Sequence, residues 1–473
     1  MSLKVYNVLT RKKEEFIPQE ENKVKMYACG ITVSDNAHIG HAYQAVVFDV
    51  IRKYLRYKGY DVTYVRNYTD VDDKIIINAR NVGMNPIDYA EKFIEKTNKE
   101  LEELNVEEPT IQARATESIE DMVKFVQKLV DKDYAYVAFD GSVYFRVSKF
   151  KDYGKFSNRL IDESLVGVRK DIEPGKEDDR DFAIWKSAGN DEIFWDTPWG
   201  KGRPGWHIEC STMSRKFLGD TLDIHGGGRD LLFPHHENEI AQSEALTGKR
   251  FSNYWLHNGL VKVNGQKMSK SLGNGILLED LLKEYNSDVI KITLLQNQYR
   301  SDINVIDGIF DQYEGKVYSV YKLIKLVKEY GLSVNKESDE YKKIVLEFEE
   351  EMDNDFNTAT VISNLFNYVT LINKVIKEKD FEKATNLVGA IVDIYGVLGL
   401  FNQEADLVIE SIKNKHLNRN NLLEEYINKM IDDRKEFKAN KDYQSADKIR
   451  DELLEKGISI KDVGSDTLWD INI

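Results

Sequence analysis

"KVKMYACGITV" (Lys23–Val33), "HAYQAVVFDVIRKYLRYKGY" (His41–Tyr60) and "DVTYVRNYTDVDD" (Asp61–Asp73) follow one another with a single short loop between the first two. The first alternates apolar residues with others and ends near Gly30, as a strand entering a loop does. The second places Val46, Val47, Val50, Ile51, Tyr54 and Leu55 at three- and four-residue spacings, the stripe of an amphipathic helix. The third reads as another strand. Strand, loop, helix and strand make a βαβ unit, which implies an α/β fold with a parallel sheet and chemistry at the carboxyl ends of its strands.

Outward from this unit the texture changes several times. Met122, Val123, Val126, Leu129 and Val130 form another helical stripe, and "AYVAFDGSVYFRV" (Ala135–Val147) reads as a hairpin around Asp140-Gly141. "TLDIHGGGRDLLFPHHENEIAQSEAL" (Thr221–Leu246) returns to strand, three glycines, and a helix opened after Pro234. Ile362, Phe366, Val369, Ile372 and Ile376 keep helical spacing in a region with almost no strand signal. A charged helical tail follows. The boundaries expected are 1–115 with 200–255 for the sheet domain, 116–199 for an insertion, 256–315 for a connecting region, 316–405 for a helix bundle and 406–473 for the tail.

Composition bounds the function. The 473 residues exceed one hydrophobic core, and 41% hydrophobic with 31% charged residues excludes disorder. "MSLKVYNVLTRKKEEF" has no apolar core of a signal peptide, and no stretch approaches about 18 uncharged apolar residues. A cytoplasmic protein with no membrane contact is expected. A net charge of −15 argues against nonspecific coating of nucleic acid but does not exclude a local basic track. The two cysteines, Cys29 and Cys210, make no disulfide framework, which leaves buried, metal-bound or catalytic thiols.

Two motifs carry phosphate chemistry. "HIGH" (His38–His41) stands where the first strand hands over to the first helix: Gly40 lets a nucleotide approach the backbone, the helix start favours an anion, and His38 and His41 offer donors to phosphoryl oxygens. Surface histidines at a helix start are the plain alternative. "VKVNGQKMSKSLGN" (Val261–Asn274) sets Lys267 and Lys270 on a loop after an Asn-Gly turn, suited to a polyphosphate that gains charge in a transition state. On the helix after Pro234, His235 and Glu239 are four apart and share a face. With Cys29 and Cys210 they form a zinc set by ligand chemistry, though their long separations lack the specificity of a compact finger.

"HIGH" and "KMSKS" in this order resemble the signatures of class I aminoacyl-tRNA synthetases. "MYACGITVSDNAHIGHAY", "NYTDVDDKII", "GRPGWHIECS", "DIHGGGRDLLFPHHENEIAQSEA", "KMSKSLGN" and "DNDFNTATVISNLF" extend the resemblance, across nearly the whole chain, to the cysteinyl-tRNA synthetase family. That resemblance implies a Rossmann-type catalytic domain with an insertion, a stem-contact region carrying the lysine loop, and an all-α helical tRNA-binding domain. It implies ATP, with Mg2+, as a substrate at His38, Gly40, His41, Gly227, Asp230, Lys267 and Lys270, and one Zn2+ per chain on Cys29, Cys210, His235 and Glu239. Substrate cysteine would meet the zinc, with Trp206 flooring its pocket and Thr69 and His236 nearby; Trp206 is equally suited to packing and Asp230 to capping a helix. tRNA(Cys) is the implied partner of a monomer. Arg434, Lys435, Lys438, Lys441, Lys448 and Arg450 offer positive charge for its phosphates, or form a solvated helix face. One departure stands out: Tyr43 occupies the place where the family commonly has Arg, so no phosphate contact is implied there. A ligase passing cysteine to a small amino sugar, and a noncatalytic zinc-dependent RNA-binding protein, are the competing readings.

Overall fold

A computed structural model describes residues 2–158, 175–189, 192–268, 272–464 and 466–473. Five parallel strands form the central sheet in the spatial order Ser252–Asn258, Leu222–Gly228, Lys23–Thr32, Asp61–Thr69 and Ile111–Arg114. The first strand of the sheet in sequence is thus the middle one in space. The chain builds outward from it to one edge, then returns to build toward the other. The direction of winding therefore reverses between Lys23–Thr32 and Leu222–Gly228, which opens a crevice at their carboxyl ends.

The helix Ile39–Tyr57 follows the middle strand and buries Val46, Val47, Val50, Ile51, Tyr54 and Leu55, the stripe read from the sequence. Burial of such a face, at about 25 cal/mol per Å² of apolar surface, is what fixes a helix of this kind to its sheet. The three glycines of "HGGG" lie inside the strand Leu222–Gly228, not in a loop after it. The reason is close packing: a Cβ on Gly226 would stand 2.3 Å from the Phe48 ring and 2.7 Å from the Leu256 carbonyl oxygen. Glycine, normally a strand breaker, is here what lets sheet and helix meet.

Between the third and fourth parallel strands the chain forms the helix Ile119–Asp131 and a five-stranded antiparallel sheet. Ala135–Val137 and Val143–Phe145 make its hairpin, and Gly200–Pro204 also belongs to it. The lysine loop leaves from a second hairpin, Val261–Val263 against Gln266–Lys267, where Asn264 and Gly265 have φ of 49° and 79° as a two-residue turn requires. Five helices then pack together: Ile309–Glu329, Asp339–Met352, Thr358–Lys377, Phe381–Val397 and Ala405–Arg419. Two more, Glu424–Ala439 and Tyr443–Glu455, lead to a closing hairpin, Ile458–Val463 with Asp466–Ile471. The architecture is α/β with a helical C-terminal part. Among the described residues no helix is long and apolar enough to cross a membrane.

Candidate active site and metal centre

Four donors converge at the crevice. Cys29 comes from the middle strand, Cys210 from the helix Trp206–Leu218, and His235 and Glu239 from one face of the helix His235–Thr247. All four are buried, and one ligand atom from each lies within 4.8 Å of the others. Cys29 Sγ is 3.5 Å from His235 Nε2 and 3.3 Å from Glu239 Oε1, while His235 Nε2 and Glu239 Oε1 are 3.0 Å apart. Two thiols, an imidazole and a carboxylate at this spacing are compatible with one metal ion.

Electrostatics tighten the cluster. Burial would raise the Glu239 carboxyl, but His225 and His235 outweigh it and hold it well below the usual carboxylate range. His225 Nε2 lies 2.8 Å from Glu239 Oε2, so it backs the candidate ligand. Burial also opposes charge on His235, yet Glu239 and Cys210 raise it to about 10. Burial pushes the Cys29 thiol up. Cys210, although equally buried, is drawn down by hydrogen bonds with Cys29 and His235. Behind the cluster, His207 Nδ1 meets His235 Nδ1 at 3.0 Å.

A cleft of about 450 Å³ opens in front, lined by Trp206, Thr69, His38, His41 and Asp230 together with Cys29, Cys210 and His235. Trp206 stacks on His235 at 4.3 Å between ring centroids and stays 38% exposed, so it forms a wall of the cleft. Thr69 donates its hydroxyl hydrogen to Glu209 at 2.8 Å. Asn67 also lines the cleft, and its Oδ1 accepts from the Gly30 N–H at 2.9 Å. A Cβ on Gly30 would fall 1.6 Å from the Asn67 carbonyl oxygen, so only glycine lets these strands close beside Cys29.

His236 departs from expectation. It is fully buried, its Nδ1 is 2.7 Å from His257 Nε2, and it packs beneath Gly227, behind the cluster and away from the cleft. Burial and the neighbouring His257 hold it neutral, well below its ordinary pKa. Its Nε2 is 3.9 Å from Glu239 Oε1, and it joins Cys29, His225 and Glu239 in a second possible donor set. Gly227, inside its strand, is likewise set back from the cleft lining.

The histidine loop is built by capping. His38 caps the helix Ile39–Tyr57: its Nδ1 accepts from the Gly40 N–H at 3.1 Å, and His41 Nδ1 accepts from the His38 N–H at 3.3 Å. Each neutral ring must therefore carry its proton on Nε2, which makes both Nε2 atoms donors. The rings stack at 3.6 Å. A Cβ on Gly40 would stand 3.0 Å from the His38 ring and 3.4 Å from the Met268 methyl carbon, so the lysine loop begins against this loop. Lys267 is exposed; Lys270 lies outside the described residues.

Tyr43 does not reach the cleft: it is buried, and its hydroxyl donates to the Tyr299 carbonyl at 2.8 Å. Arg434 is not available to a partner either. It is buried against Asp462 at 2.8 Å, and Lys438 pairs with the same carboxylate at 2.7 Å. His207, Asn67 and Glu209 were not legible as site residues, because their places depend on contacts between distant elements.

The family of tRNA synthetases class I (C) catalytic domains matches residues 15–313, and the DALR domain matches residues 347–402. The Cysteine–tRNA ligase of Thermodesulfovibrio yellowstonii is 45% identical over 489 residues, covering 100% of both chains. That of Geobacillus thermodenitrificans is 46% identical over 477 residues, covering 99% of both. In fold, the chain is similar to Mycobacterium tuberculosis methionyl-tRNA synthetase in complex with methionyl-adenylate, with a TM-score of 0.59, 15% identity, and coverage of 84% of this chain and 92% of that one. A putative arginyl-tRNA synthetase from Campylobacter jejuni gives 0.54 at 14% identity, covering 82% and 94%. With full-length relatives at this identity and a catalytic-domain family matching residues 15–313, the chain belongs to the cysteine–tRNA ligases, a family of class I aminoacyl-tRNA synthetases.

Proposed function

We propose that the chain activates cysteine with ATP and passes it to tRNA(Cys), using zinc at Cys29, Cys210, His235 and Glu239 to select the substrate. In the first step the cysteine carboxylate attacks the α-phosphorus of ATP, forming cysteinyl adenylate and releasing pyrophosphate. In the second, a ribose hydroxyl of the terminal adenosine of tRNA attacks the activated carbonyl and AMP leaves. His38 and His41, with protons on Nε2, donate to phosphoryl oxygens, and Gly40 leaves room for the nucleotide. Lys267 and Lys270 stabilise the charge that develops on the departing pyrophosphate, with Mg2+ accompanying ATP. Asp230, which lines the cleft, serves the ribose. Thr69 and Trp206 hold the amino acid, and His236 supports the cluster from behind.

Two thiols, one imidazole and one carboxylate, all buried with their ligand atoms within 4.8 Å of each other, fit zinc by number, chemistry and spacing. Zinc supplies a soft Lewis acid there, which prefers a thiolate side chain to the hydroxyl of serine. An apolar pocket discriminates by only about 1–3 kcal/mol per group added or missing.

Residues 1–115 and 200–255 would form the catalytic domain, 116–199 an insertion in it, 256–315 the stem-contact region with the lysine loop, 316–405 a helix bundle and 406–473 the anticodon-binding tail, in a cytoplasmic monomer. The observation that carries this reading is the meeting of the donor cluster and the histidine loop on one cleft. Its test is ATP–pyrophosphate exchange with cysteine or serine, alongside metal analysis. Exchange without cysteine dependence, or full selectivity in metal-free protein, would refute it.

A further inference from the structure

Tyr43 lies on the helix begun by the histidine loop but makes no contact with the cleft. Its hydroxyl donates to the Tyr299 carbonyl oxygen, and the same oxygen accepts from the Gly259 N–H, also at 2.8 Å. Gly259 stands at the base of the hairpin that carries Lys267. The approach there is close: a Cβ on Gly259 would fall 2.0 Å from the Ser301 carbonyl oxygen. Beyond this point Ile303–Val305 runs parallel to Val261–Val263, so whatever fixes residues 299–301 also fixes the first limb of the lysine hairpin.

The segment beyond that limb is tied to the same helix. The Ile39 N–H donates to the Ile276 carbonyl at 2.9 Å, and the Leu278 N–H donates to the Ala37 carbonyl at 3.0 Å. From the opposite side Asp355 holds Tyr299: it accepts from the Tyr299 hydroxyl at 3.0 Å and from Arg300 Nε at 2.8 Å. Asp355 is fully buried in "DNDFNT", a motif with no chemical role assigned, and its φ of 65° lies in the left-handed region that aspartate tolerates better than most residues.

We infer that Tyr43 is a positioning residue, which with Asp355 fixes Tyr299 and thereby sets the spacing between the histidine loop and the lysine hairpin. The inference rests on the reading in which these two elements grip one ATP. Burial pushes the Tyr43 hydroxyl well above its ordinary pKa, so it remains a donor throughout the working range. Removing that hydroxyl leaves the Tyr299 carbonyl bonded to Gly259, so no buried group is orphaned and the fold should tolerate the change. The two limbs would then be fixed unequally, and misplaced cations stabilise developing charge poorly even where ground-state binding survives.

The test is Tyr43→Phe in the full chain, measured by cysteine-dependent ATP–pyrophosphate exchange, with zinc content and cysteine affinity measured in parallel. The kcat should fall about three- to tenfold, with the KM for cysteine and the zinc content unchanged. Asp355→Asn, which acts on Tyr299 from the other side, should shift kcat in the same direction. Wild-type kcat in Tyr43→Phe would overturn the inference, as would a parallel loss of cysteine affinity and zinc, which would mean general damage. Wild-type protein without cysteine-dependent exchange would overturn the functional reading itself, and the inference with it.

Discussion

Glu239 is gripped from two sides, by His235 on its own helix and by His225 on the neighbouring strand, and this makes the cluster sensitive to single side chains. Cys210→Ala should raise the Kd for cysteine steeply and reduce bound metal while leaving ATP binding nearly intact, as equilibrium binding and metal analysis would read. A merely packed thiol would cost about 1 kcal/mol of stability and leave recognition unchanged. His225→Asn keeps a polar group but loses the bond to Glu239, and should weaken metal retention about 10- to 100-fold in a chelator competition. The i, i+4 spacing of His235 and Glu239 was readable because it is local. Cys29 and Cys210 could be grouped with them by ligand chemistry, but their long separations left the grouping unspecific without the family resemblance, and His207 and His225 as backing residues could not be read at all. Their roles arise where a strand and two helices meet.

Glycine in a strand misled for the same kind of reason. Read locally, "HGGG" signals a loop; in the fold it is the strand Leu222–Gly228 pressed against Phe48. Gly226→Ala should therefore destabilise by about 1–3 kcal/mol, measurable by denaturant unfolding, although alanine is ordinarily the better strand residue. By contrast the Asn264-Gly265 turn and the stripe of Ile39–Tyr57 were legible, because turn geometry and helical periodicity are properties of short stretches. A second case concerns the helix Pro86–Glu103. Glu100 is buried, and neither carboxylate oxygen has a hydrogen-bond partner among the described residues; Lys96 Nζ, at 3.8 Å, is an ion-pair neighbour beyond hydrogen-bond range. Burial raises its pKa from 4.5 to about 7. A raised carboxyl binds more protons folded than unfolded, so its contribution is present below about pH 4.5 and is lost as pH rises through about 7. Glu100→Gln should accordingly raise Tm at pH 8 and change it little at pH 4.5.

Over the whole molecule, the parallel sheet could be anticipated from one βαβ unit, but its reversal could not, because strand order is set by long-range pairing. The tail shows the limit of charge counting. Arg434 and Lys438 are bound to Asp462, whereas Lys441 and Tyr443 are exposed at neighbouring positions. Replacing both Lys441 and Tyr443 with Ala should raise the KM for tRNA about tenfold in charging assays, with cysteine-dependent exchange unchanged. The helix Ala405–Arg419, in turn, is bonded to the segment after the lysine loop, since Lys415 donates to the Tyr285 carbonyl at 3.0 Å. The central claim is that one cleft joins ATP chemistry to metal-based selection of cysteine. It is tested most directly by ATP–pyrophosphate exchange with cysteine and with serine, before and after zinc removal. The account predicts cysteine preferred by more than the roughly 200-fold an apolar pocket can give, and loss of cysteine activation in zinc-free protein with recovery when zinc is restored. Undiminished exchange and selectivity after zinc removal would contradict it.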